Sequence, residues 1–145
     1  MIPDYDQQLL SPVTDQVVVF VKRHASGPII EIGAGDGRWV RALRDAGLTI
    51  RGFDPWSSGD GVETGDHLEA AKADGTTLLA IWPPDGPLVQ AWIGSKVWDR
   101  IILGYQRGRL NFDHALDSYE MVDDLLEGGG KKGPYRIQAW RRVPS

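Results

Sequence analysis

The residues best placed to do chemistry lie in Ile29-Ile30-Glu31-Ile32-Gly33-Ala34-Gly35-Asp36-Gly37, where an apolar run carrying one acid meets glycine at every second position. Glycines in that arrangement let a strand turn sharply into a helix and let backbone N–H groups approach a ligand with no Cβ in the way. The loop is not that of a dinucleotide fold, whose third glycine comes one place later, where this chain has Arg38. Nor is it a phosphate loop, because no lysine followed by Ser or Thr comes after the glycines. Asp54, next to Pro55 and Trp56, is a second candidate: an acid at the end of the following strand can accept hydrogen bonds from ribose hydroxyls. Two further stretches are Gly65-Asp66-His67 and Trp82-Pro83-Pro84-Asp85. His24, His67 and His114 are scattered with no metal-ligand spacing, and no Gly-x-Ser-x-Gly elbow is present.

These residues need rigid elements to hold them. Thr14 offers an N-cap hydroxyl to a helix ending near His24, although its valines would also suit a strand. Ile29 to Ile32 has the form of a strand buried on both faces. A helix follows the glycines, with Trp39, Val40 and Leu43 apolar, and Gly47 closes it. Strands are expected at Leu48–Phe53, Val62–Thr64, Thr76–Trp82, Val97–Gly104 and Tyr135–Arg141, with short helices at His67–Ala73 and Leu88–Gly94. Phe112, Leu116, Tyr119, Val122 and Leu126 recur at helical spacing, which predicts a helix with Asp113, Asp117 and Glu120 on its solvated side and Gly128 to Gly130 at its end. The first thirteen residues read as a short helix or coil. The alternation points to an α/β fold: a Rossmann-like, doubly wound, mostly parallel sheet of about six or seven strands with helices on both faces. The first strand would be central, and the crevice at its carboxyl end would be the ligand site.

Composition sets the outer limits. The 145 residues, 41% hydrophobic and 25% charged, suit a single domain over 1–145, and the absence of cysteine excludes disulfides, thiolate metal sites and cysteine nucleophiles. A net charge of −4 argues against a general nucleic-acid binder. The acidic stretch from Asp113 to Glu127 and the basic one formed by Lys131, Lys132, Arg136, Arg141 and Arg142 read as solvated surface. No apolar run has the length of a membrane span, and Asp4 and Asp6 near Met1 do not resemble a secretory signal, so a soluble, cytoplasmic protein is expected.

The glycine segment resembles the first motif of the class I S-adenosylmethionine-dependent methyltransferases, an acid two places before Gly-x-Gly-x-Gly. The resemblance covers roughly residues 14 to 106 and implies S-adenosylmethionine (SAM) as cofactor. It implies that Gly33, Ala34, Gly35, Asp36 and Gly37 carry the methionine portion, Glu31 holds its ammonium and Asp54 the ribose hydroxyls. Pro55 and Trp56 would lie by the adenine, and Asp66 and His67 near its amino group. Trp82-Pro83-Pro84-Asp85 resembles a variant of the [Asn/Asp]-Pro-Pro-[aromatic] motif of amino-group methyltransferases, which makes Trp82, Pro83 and Asp85 the candidates beside the transferable methyl. Trp82 departs from that motif because an indole N–H only donates; its ring could face a sulfonium or an aromatic acceptor. His67 and Tyr105 join Asp85 as candidate bases. The acceptor, small or macromolecular, is left open. A non-catalytic SAM-binding sensor or scaffold and a nicotinamide-dependent oxidoreductase are the alternative readings, the latter opposed by Arg38 and Glu31.

Overall fold

In the computed structural model, which describes residues 13–56, 61–84, 87–105, 110–127 and 135–144, the first ordered signal is the cap expected at Thr14. Its hydroxyl accepts from the N–H of Val17 at 3.3 Å and opens α1 (Asp15–His24). Val17, Phe20 and Val21, at helical spacing, are buried, and Lys22, Arg23 and His24 in the last turn complement the helix dipole. Spacing and cap together outweigh the β-branched content.

Seven strands among the described residues form one sheet in the order β3-β2-β1-β4-β5-β7-β6. They are β1 (Ile29–Ile32), β2 (Ile50–Asp54), β3 (Val62–Thr64), β4 (Thr77–Ile81), β5 (Arg100–Tyr105), β6 (Tyr119–Glu127) and β7 (Tyr135–Arg142). The first five pair in parallel, and β7 runs antiparallel to both β5 and β6. Helices α2 (Arg38–Asp45), α3 (His67–Ala71) and α4 (Pro87–Gly94) lie between successive strands in the chain. One core layer joins α1 and α2 to Ile29, Leu79 and Ile102. The other joins α3 and α4 to Ile30, Leu78 and Ile101. Chain direction across the sheet reverses between β1 and β4, so the topological switch lies at the carboxyl ends of those two strands. The middle position belongs to β4, with β1 next to it, a small correction to the expected order.

The helix expected through Phe112 to Leu126 is not formed. Residues 113–118 make turns, and β6 occupies the rest as the edge strand. Asp113, Asp117 and Glu120 therefore share no helix face. Val122 and Leu126, which a helix would have buried, are exposed, whereas Tyr119, Asp123 and Leu125 are half-buried. A register shift between Met121 and Asp123 breaks the two-residue alternation, which is why the stretch imitated a helical period. The acidic and basic stretches also meet across this hairpin: Glu120 pairs with Arg141, and Asp124 with Arg136 at 3.0 Å. No helix among the described residues is long and apolar enough to cross a membrane. The readings made for residues 1–12, Gly128 to Gly130, Lys131 and Lys132 lie outside the described residues.

Candidate active site

The loop after β1 is built on three left-handed glycines, Gly33 (φ +76°), Gly35 (φ +59°) and Gly37 (φ +84°), so the alternation read from the sequence is a backbone requirement. The N–H groups of Gly33 and Ala34 both donate to the carbonyl of Phe53, at 2.9 and 3.0 Å, fastening the loop to the end of β2. A Cβ on Gly33 would come 2.8 Å from Cη2 of Trp92, so α4 also packs directly beneath the turn. Gly37 is the N-cap of α2 and provides no side chain to cap it. Asp36 contributes instead, accepting from the N–H of Arg38 at 3.0 Å.

Glu31 is the unusual residue. It is 1% exposed, and its Oε1 has no hydrogen-bond partner. Ile29, two residues earlier on β1, belongs to the α1/α2 layer, and strand alternation turns Glu31 toward the same face. Gly52 of β2 makes room there: a Cβ on it would come 2.5 Å from Val40 Cγ2, 2.9 Å from Ala34 Cβ and 3.8 Å from Glu31 Oε1. Burial pushes the Glu31 carboxyl well above the usual range, and the nearby charges of Asp36 and Asp54 push it the same way. A buried acid with further acids around it and an unsatisfied oxygen is arranged to receive a cation.

Asp54, also buried, accepts from the N–H of Gly35 at 3.0 Å and from that of Trp56 at 2.8 Å. It thus ties the glycine loop to the turn after β2. Pro55 and Trp56 are exposed, Trp56 by 58%. Asp66 is the N-cap of α3 and accepts from the N–H groups of Leu68 and Glu69, while His67 opens that helix half-buried. Pro55, Thr64, Gly65 and Asp66 line one end of an open cleft of about 710 Å³ that runs along α3. Trp82 follows β4 and is half-buried, with Pro83 buried behind it. Asp85 lies outside the described residues.

The fold therefore gathers Glu31, the glycine loop, Asp54, Pro55 and Trp56 at the carboxyl ends of β1 and β2, with Trp82 at the end of the adjacent β4. Asp66 stands farther along, beyond β3. Sequence reasoning passed over Gly52 and Trp92. Gly52 carried a usable signal, since glycine inside a strand marks a close approach. Among the described residues no group of acids and histidines is placed to hold a metal ion.

Seven strands ending in an antiparallel hairpin, with the switch point at the glycine loop, decide the fold. The chain has the class I methyltransferase fold. No protein-family model and no curated protein matches the sequence. Solved structures do match. Magnesium protoporphyrin IX methyltransferase from Synechocystis PCC 6803 with bound SAM superposes with a TM-score of 0.65 at 14% identity, over 89% of this chain and 77% of that one. A structure from the conversion of a disulfide bond into a thioacetal group during echinomycin biosynthesis gives 0.67 at 14%, over 97% and 85%. Burkholderia thailandensis 1,6-didemethyltoxoflavin-N1-methyltransferase, with 1,6-didemethyltoxoflavin and S-adenosylhomocysteine bound, gives 0.60 at 14%, over 90% and 78%. At these identities the class I methyltransferase likeness is one of fold, and the varied chemistry of the three leaves the acceptor open.

Proposed function

We propose that this protein binds SAM across the carboxyl ends of β1 and β2 and transfers its methyl group directly to an acceptor at the end of β4. The observation that carries the reading is the partnerless oxygen of buried Glu31, beside a glycine loop and two further acids. A pyrophosphate would be repelled there, which disfavours a nicotinamide dinucleotide; an ammonium supplies the missing charge. Solved structures of the same fold that hold SAM or S-adenosylhomocysteine support the choice of cofactor.

Glu31 would hold the ammonium, and Gly33, Ala34, Gly35, Asp36 and Gly37 would carry the methionine portion. Asp54, at the end of β2, would accept from the ribose hydroxyls. Pro55 and Trp56 would border the adenine, with Asp66 and His67 beyond it. Because its side chain already caps α3, Asp66 would contribute from the helix entrance. Trp82, Pro83 and Asp85 would flank the methyl group. The bound cofactor supplies an electrophilic methyl on a sulfonium. The protein's part is placement: aligned reactants contribute about 7 to 11 kcal/mol without any covalent step on the enzyme.

Calorimetric titration with S-adenosylhomocysteine tests the reading, with binding in the micromolar range expected. No heat of binding up to millimolar ligand would overturn it. Binding without methylation of any component in a broad acceptor screen would reassign the protein to cofactor binding without catalysis.

A further inference from the structure

The neighbours of Glu31 decide how its site takes a ligand. Strand register sets Glu31 beside Gly52 of β2 and Leu79 of β4, so neither flanking strand offers its side chain a hydrogen-bond partner. The helices over that face bring apolar groups: Val17, Phe20 and Val21 from α1, and Trp39, Val40 and Leu43 from α2. The basic residues of these helices are placed elsewhere. Arg38 lies 3.5 Å from the Asp36 carboxylate, Arg41 donates to the Asp36 carbonyl at 2.6 Å, and Arg44 donates to the carbonyl of Ile50 at 2.9 Å. Arg23 and His24 lie against Asp123, and Lys22 is exposed. Among the described residues no cation pairs with Glu31, and the charges that reach it, those of Asp36 and Asp54, are both negative.

A carboxylate is costly to keep in that setting. A lone charge taken out of water into apolar surroundings neutralises instead, and two acids nearby oppose a third negative charge. The side chain is 1% exposed and its Oε1 has no partner, so before a ligand arrives the neutral acid is the favoured form. An ammonium reverses the balance. Beside it the carboxylate gains a charge partner and a charge-assisted hydrogen bond together, and the ionised form is favoured.

We infer that cofactor binding at this site is an exchange of cations, in which the ammonium of the amino-acid portion settles against Glu31 as the Glu31 proton leaves for solvent; this rests on the proposed SAM site. The carboxyl O–H bond breaks, its electron pair stays on the oxygen, and the proton passes to water or buffer. The ammonium keeps its own protons, and no other bond changes. Only the ionised acid can pair, so the apparent affinity is the intrinsic one scaled by the ionised fraction. In acid it falls by up to about ten-fold for each pH unit. The site therefore fills poorly in acid and well toward neutrality. His67 carries the one imidazole among the residues proposed at the cofactor, and it opens α3 at the adenine end, away from the ammonium.

The test titrates the full chain calorimetrically with S-adenosylhomocysteine in buffers of widely different ionisation enthalpy, where the dependence of the heat on that enthalpy counts the protons released. The titrations would run from about pH 5 to about pH 7, a range in which an α-amino group stays protonated. The parallel ligand is 5′-methylthioadenosine, which has no ammonium. S-adenosylhomocysteine is expected to release up to about one proton per molecule bound and to bind more tightly as pH rises, and 5′-methylthioadenosine to do neither. A proton exchanged by His67 would appear with both ligands and cancel in the comparison. Glu31→Gln should still bind S-adenosylhomocysteine, more weakly, with the extra release gone. Infrared difference spectra should show a neutral-carboxyl C=O band lost on binding by wild type and no such loss in the variant. If S-adenosylhomocysteine binds with the proton count of 5′-methylthioadenosine, or if Glu31→Gln keeps the extra release, the exchange is overturned while the proposed function stands. If S-adenosylhomocysteine itself does not bind, the proposed function falls, and the exchange falls with it.

Discussion

Replacing Glu31 with Gln keeps the side chain's shape and removes its ability to ionise. In the ligand-free protein the carboxyl is buried, one oxygen has no partner, and Asp36 and Asp54 oppose its charge. Its folded-state pKa is therefore raised above that of the unfolded chain. A carboxyl raised in this way lends its full stability below the unfolded pKa and loses it as pH climbs through the raised folded value; each unit of difference is worth about 1.4 kcal/mol. The Gln variant has no such loss. The expected gain at about pH 8 is about 1 to 3 kcal/mol, the cost of keeping an ionisable carboxyl buried and neutral above its unfolded pKa, a cost the amide does not carry. For a domain of this size that is roughly 2 to 12 °C in Tm. Thermal and urea melts of both proteins without ligand, from about pH 4 to about pH 8, should converge in acid and separate toward neutrality, with the variant more stable. The same variant should bind S-adenosylhomocysteine about 10- to 100-fold more weakly, the worth of one charged hydrogen bond. A gap that does not change with pH, or a variant less stable at the alkaline end, would show that Glu31 is not buried and neutral in this way.

Asp54→Ala removes the acceptor for the N–H groups of Gly35 and Trp56 and should cost about 2 to 4 kcal/mol in urea unfolding; a loss confined to ligand affinity would mean that Asp54 does not anchor the loop. Gly52→Ala places a methyl 2.5 Å from Val40 Cγ2 and 2.9 Å from Ala34 Cβ. The overpacking should cost about 1 to 3 kcal/mol by denaturant titration, and unchanged stability would show that α2 can move aside freely. His24 Nε2 lies 2.7 Å from Asp123 Oδ2, and this hydrogen bond, more than any other contact, holds the Asp123 carboxyl below the usual range. The stability it lends is present above the unfolded carboxylate pKa and is lost as pH falls through the lowered folded one. Wild type should therefore exceed Asp123→Asn near neutrality and match it in strong acid, and a difference that persists in acid would exclude the pair as its source.

The glycine segment was legible because its chemistry and its backbone make the same demand: left-handed φ at Gly33, Gly35 and Gly37 leaves few residues free to vary. The Thr14 cap and the short apolar run of β1 were legible for a similar local reason. Strand β6 was not, because its register shift disguises alternation and because its acids are matched by arginines one strand away, a relation that no local window contains. Within the site, Asp54 could be placed from its position after β2, but its role in tying down Gly35 and Trp56 exists only once the loop has folded back. The orphaned oxygen of Glu31 likewise becomes visible only with three-dimensional burial, as does the closeness of Gly52 that gives it room.

In the proposed function Glu31 and the glycine loop receive the ammonium end of SAM. The most direct measurement compares the affinities of S-adenosylhomocysteine and 5′-methylthioadenosine, which shares the adenosine and sulfur but has no amino-acid portion. Wild type is expected to bind S-adenosylhomocysteine roughly 10- to 100-fold tighter, a margin set by the charged contact, and Glu31→Gln to shrink the difference. Equal affinities in wild type, or a preference that Glu31→Gln leaves intact, would contradict it.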